Sequence, residues 1–173
     1  MKLNLRKLTI AAMLTAVAVV LSSFSIPIGA SRCFPIQHLI NVIAAVFLGP
    51  VYGVAMAFCT ALIRNLLGTG TLLAFPGSMV GALISGIVFH YTRSRWGAYL
   101  GEVIGTGIIG GMLCYPLAAF MMGQKAALFT FVGPFLISTV CGTIMAAVIL
   151  TALYRSKAVF VIDQMLQRED NRC

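Results

Sequence analysis

The chain has 173 residues, 60% of them hydrophobic and only 9% charged, with a mean hydropathy of +1.01. A soluble domain of that length needs a polar surface this composition does not supply. The long apolar runs also lack the alternation of a transmembrane β-barrel, so the class is an all-α, multi-pass membrane protein. The net charge of +8 does not point to nucleic acid, because most basic residues stand at helix ends or in the C-terminal tail, as membrane orientation demands.

Windows of about 20 residues give six candidate membrane helices: Leu8–Ile26, Pro35–Leu48, Val51–Leu67, Gly77–Tyr91, Ala98–Met122 and Thr130–Tyr154. The first follows Lys2, Arg6 and Lys7 and precedes Ile28-Gly29-Ala30, the outline of a secretory signal. Its apolar run is long enough to span, however, and Ile28 fits a small-residue cleavage site poorly, so it reads as a retained helix. The second is short for a span, and charge placement decides how to read it. If it crosses and the N-terminus is cytoplasmic, Lys2, Arg6, Lys7, Arg93, Arg95, Arg155 and Lys157 all fall inside, leaving Arg32, Arg64 and Lys125 toward the outside. The expectation is therefore one integral membrane domain over residues 1–173, with six crossings, both termini cytoplasmic and a short cytoplasmic tail from residue 155.

Helices in lipid approach each other through small residues. The first helix carries Ala12-x-x-x-Ala16 and the fifth Gly101-x-x-x-Gly105, followed by Gly107, Gly110 and Gly111. Either stripe serves internal packing or a partner helix. The first helix is the better docking candidate, because its small face begins just after a basic cytoplasmic end.

Reactive groups are few. The acids are Glu102, Asp163, Glu169 and Asp170, the last three in the tail, and the histidines are His38 and His90. There is no HExxH, no Gly-x-Ser-x-Gly elbow, no paired carboxylate in a span and no P-loop lysine, so neither catalysis nor ATP binding is expected of this chain, and no metal or other cofactor is implied. Glu102, about one turn above the inner end of its helix, reads as an interfacial residue solvated or paired with Arg93 or Arg95. The five cysteines have no CxxC spacing and read as small hydrophobes.

The exception to this apolar pattern is Arg64-Asn65-Leu66-Leu67-Gly68-Thr69-Gly70, a cation and an amide at the end of one span before a glycine-rich turn. A charge at membrane depth is a functional-site candidate. The same side of the predicted topology collects Arg32, Phe34, Gln37 and His38, then Arg64, Asn65 and Phe75, then Ser78 and Tyr115. Together they suggest a small pocket with aromatic walls and a few directing donors.

The stretches Ser25-Ile-Pro-Ile-Gly29, Cys33-Phe-Pro-Ile-Gln-His38, Arg64-Asn-Leu-Leu-Gly-Thr-Gly-Thr-Leu-Leu-Ala-Phe-Pro-Gly77 and Gly101-Glu-Val-Ile-Gly-Thr-Gly107 resemble the ThiW family over nearly the whole chain. These are substrate-binding S components of energy-coupling factor (ECF) transporters. The resemblance implies a six-helix bundle in a bacterial or archaeal plasma membrane and an outward-facing site for a thiazole precursor of thiamine, hydroxyethylthiazole. It also implies a transmembrane coupling (T) subunit and two cytoplasmic ATPases that use the ATP, with Ala12-x-x-x-Ala16 as the contact to the T subunit. A phosphorylated thiazole would make fuller use of Arg32 and Arg64. A carrier working alone for a small heterocyclic solute is the alternative, and ATP dependence of uptake separates the two. The topology has its own check: a reporter fused after Arg95 should be cytoplasmic, and an extracellular signal would overturn the six-crossing arrangement.

Overall fold

The computed structural model describes residues 4–23, 25–28, 31–121, 129–156, 159 and 164. These fold into α1 (Leu5–Val20), α2 (Pro35–Phe47), α3 (Pro50–Leu66), α4 (Ala74–Thr92), α5 (Arg95–Glu102), a π-wound segment (Val103–Gly110), α6 (Gly111–Met121) and α7 (Val132–Arg155). Because α5, the π segment and α6 run on without a break, the described residues form six helical rods. Three of them, Ala74–Thr92, Arg95–Phe120 and Val132–Arg155, are long and apolar enough to cross a membrane, while α2 and α3 are shorter apolar helices. Lys125 and most of the expected tail lie outside the described residues.

Local chemistry sets the boundaries. Asn4 caps α1, its Oδ1 accepting from Lys7 N at 3.1 Å. The expected first helix ran on to Ile26, but α1 stops at Val20. A short 3-10 turn over Leu21–Ser23 follows, where the Ser22 hydroxyl donates to Val19 O. Beyond it, Ile26–Ile28 pairs antiparallel with Ser31–Cys33, a two-stranded hairpin that the apolar run did not suggest. Pro35 and Pro50 open α2 and α3, where a missing N–H costs nothing. Gly49 joins these two helices at φ +85, a left-handed backbone that favours glycine.

α4 is the centre of the bundle, packing on α2, α3, α5 and the π segment, and α7 closes against α2 and the π segment. Along the α4 contact, Gly101 lies on Ser85, Gly105 on Gly81 and Gly110 on Gly77. A Cβ at these three glycines would come within 2.8, 2.9 and 2.6 Å of the facing Cα. The α4 partners are spaced by four residues, whereas the glycines are spaced by four and then five. The wider π winding absorbs the extra residue and keeps all three glycines on one face. The glycine stripe is thus internal packing. On α1, by contrast, Ala11, Thr15 and Ala18 turn inward and Ala12 and Ala16 are exposed.

Alanine is ordinarily a better helix former than glycine, by about 1 kcal/mol. Here the contact reverses the sign: Gly110→Ala should lower stability by roughly 1–3 kcal/mol, the usual cost of overpacking. Ala16→Gly should cost no more than helix propensity. Thermal unfolding of the purified protein checks both.

Candidate functional site

One end of the bundle holds a cavity of about 450 Å³, enclosed by the start of α2, the end of α3, the turn into α4 and the start of α7. Its polar walls are Gln37, His38, Arg64, Thr71, Ser78, Thr130 and Ser138, and its apolar walls include Phe34, Leu73, Phe131, Pro134 and Phe135. This is the expected combination of aromatic surface and a few directing groups.

Arg64 stands in the last turn of α3 and is 1% exposed. Its Nη1 donates to Gln37 Oε1, its Nη2 donates to Thr69 O at 3.2 Å, and its guanidinium lies 4.4 Å above the Phe34 ring. Its backbone carbonyl in turn accepts from Thr69 N and Gly70 N, with Gly68 at φ +70 allowing the chain to fold back. The residue therefore both terminates its helix and walls the cavity. Nε remains buried without a partner, as does Gln37 Nε2.

Behind the cavity lies the largest correction to the sequence reading. Glu102 is neither interfacial nor paired with Arg93 or Arg95: it is fully buried. Its Oε1 lies 3.0 Å from His38 Nδ1 and accepts from Asn41 Nδ2 at 3.1 Å and Thr106 Oγ1 at 3.0 Å. Counting turns from the helix end missed how closely α4 approaches. Gly101 and Gly105 press this part of the helix onto Ser85 and Gly81, which carries Glu102 into the interior. Asn41 also donates to Ser78 O at 3.3 Å, tying α2 to α4. With a carboxylate holding Nδ1, the histidine ring is fixed and Nε2 is the atom left for the cavity.

Of the residues expected to share one pocket, Phe34, Gln37, His38, Arg64 and Ser78 do so. Asn65 does not. Its amide donates to Ala61 O at 2.8 Å and Thr71 O at 3.0 Å, so it braces the turn. Phe75, one residue past the cavity-lining Ala74, is rotated away to pack on Phe58 at 5.7 Å and to line a separate apolar groove with Pro116 and Phe120. Tyr115 lines neither space. Its neighbour Cys114 holds the inward position, donating to Leu73 O at 3.2 Å. The side chain of Arg32 lies outside the described residues. Sequence reading missed the α7 wall of Phe131, Pro134, Phe135 and Ser138, whose signal was the aromatic-glycine-proline run Phe131-Val-Gly-Pro134-Phe135 at a helix start.

Cys33 and Cys114 are buried free thiols, and no disulfide joins the described cysteines. Burial pushes the Cys33 thiol above its ordinary range, reinforced by nearby Cys141, so it stays a hydrogen donor to Pro134 O.

A ligand-sized cavity at one end of an apolar helical bundle, three of whose helices are long enough to cross a membrane, is the architecture of a membrane protein with room for a small solute. The fold agrees: the chain superimposes on a structure described as the S component of a bacterial ECF transporter with a TM-score of 0.69 at 20% identity, covering 92% of this chain and 99% of that one. No curated protein matches the sequence. The family profile of the thiamine-precursor transporter protein (ThiW) matches residues 8–156, and the chain belongs to that family.

The Glu102 cluster predicts a stability cost. Glu102→Ala removes the acceptor shared by His38, Asn41 and Thr106, and should lose about 3–5 kcal/mol, as for a broken buried pair. Glu102→Gln, which keeps an acceptor, should lose less. Unfolding midpoints in detergent measure the difference.

Proposed function

We propose that this protein is the ligand-capturing subunit of an ATP-driven ECF importer and that its ligand is the thiazole precursor of thiamine. In this reading all six rods cross the membrane, both termini are cytoplasmic, and the cavity opens to the outside. The observation that carries it is the cavity itself. Phe34, Phe131 and Phe135 give the cavity aromatic surface for a flat ring, and Arg64, Gln37 and His38 bring polar groups for its substituent. The chain has no ATP-binding motif of its own, so the energy comes from partners: a T subunit and two cytoplasmic ATPases. The exposed Ala12 and Ala16, flanked by exposed Met13 and Val17, give the T subunit a small-residue face on which to pack.

The buried His38–Glu102 pair favours a second reading, a carrier driven by protons, since intramembrane acids and histidines form such relays. Energy dependence separates the two. Purified protein should bind hydroxyethylthiazole at low micromolar concentration or tighter, and uptake should require the coupling module and ATP. Replacing Ala12 and Ala16 by leucine should leave binding unchanged and abolish uptake. Full uptake without the coupling module, driven by a proton gradient, would replace the first reading with the second.

A further inference from the structure

The hydrogen-bonding groups around the cavity are lopsided. Four carbonyls of the lining residues are engaged: Thr71 O by Asn65 at 3.0 Å, Leu73 O by the Cys114 thiol at 3.2 Å, Ala74 O by the Ser78 hydroxyl at 2.7 Å, and Pro134 O by the Cys33 thiol at 3.8 Å, while the hydroxyls of Thr71, Ser78, Thr130 and Ser138 can act in either sense. Gln37 Oε1 is taken by Arg64 Nη1, and this contact orients the amide so that its nitrogen points elsewhere. The donors are left over. Arg64 Nε and Gln37 Nε2 are both buried and both unpartnered, on two side chains that line the cavity and are themselves 1% and 7% exposed.

Charge follows the same pattern. Arg64 is the permanent cation among the lining residues, and none of those residues is an acid. Glu102 does not balance it at the cavity surface. It sits behind His38, with three groups converging on Oε1. His38 is neutral ground, because its Nε2 accepts when the ring is uncharged and donates when it is protonated.

We infer that the cavity selects the anionic form of its ligand, an aromatic heterocycle carrying a phosphate-type oxyanion held by Arg64 and Gln37. The inference takes only the heterocycle from the proposed function; the anion rests on the donors. A phosphate oxyanion brings acceptors to both orphan N–H groups and a counter-charge to a buried guanidinium. An uncharged alcohol satisfies fewer donors and brings a hydroxyl hydrogen of its own to place. A ring with a fixed positive charge, such as the thiazolium of thiamine, sets like charge against Arg64 in a poorly screened site. The ranking is anion, then neutral, then cation.

Binding of hydroxyethylthiazole phosphate, hydroxyethylthiazole and thiamine to the purified full chain tests the ranking without any substitution. The phosphate ester should bind about tenfold or more tighter than the alcohol, the range expected for a charge-assisted hydrogen bond, and thiamine should bind weakest. Equal or tighter binding of the alcohol or of thiamine would overturn the inference while leaving the thiazole reading intact. A second arm does not depend on the ring. Inorganic phosphate, against chloride at matched ionic strength, should raise the unfolding midpoint of the wild type more than that of R64Q, or of Q37L should R64Q fail to fold. If no thiazole binds and this difference is present, the thiazole reading falls and the anion site stands; if the difference is absent as well, both fall.

Discussion

Burying a guanidinium in an apolar bundle is the constraint around which this end of the protein is arranged. Burying a charge without partners is costly, so Arg64, 1% exposed, must be offset locally. Gln37, Thr69 O and the Phe34 ring share that task, drawn from α2, the turn after α3 and the residue that leads into α2. Each partner is also a cavity wall or holds one. The arrangement that makes the charge tolerable therefore builds the cavity wall, and Nε is left buried without a partner.

The buried carboxyl of Glu102 is accommodated differently. Its partners are side chains from α2 and from the next turn of its own helix, all on Oε1 while Oε2 is left without a partner, and the cluster reaches the cavity wall through His38 and through Asn41's bond to Ser78 O. The two residues divide the work. Glu102 fixes the position of a neighbour, and Arg64 presents itself. His38 belongs to both, bonded on one side to the acid and facing the cavity on the other.

Much of this was legible in sequence because membrane insertion leaves few options. Apolar runs locate the helices, proline and glycine mark their ends, a charge at depth marks a candidate site, and Arg64, Gln37 and His38 line one cavity. Four features were illegible, each for a physical reason. Whether Phe75 or Ala74 faces inward depends on helix rotation, and adjacent residues differ by about 100°. The depth of Glu102 depends on how closely α4 approaches, which residue counting along one helix does not reveal. The early end of α1 depends on a hairpin whose strands are three residues each, too short to leave a periodic pattern. The α7 wall was missed because Phe131 and Phe135 have the composition of any lipid-facing turn.

The π-wound stretch Val103–Gly110 bears on how this helix tolerates change over evolutionary time. In an ordinary helix the loss of one residue rotates everything beyond it by about 100° and draws it back by about 1.5 Å. Here such a deletion would tighten the wide turn. Gly110, then four residues past Gly105, would keep its place on Gly77, and Cys114 would keep its place at Leu73 O. Relatives that keep this packing should therefore tolerate the loss of one residue between Gly105 and Gly110, which returns the segment to ordinary winding, and no other change in the spacing from Gly101 to Cys114.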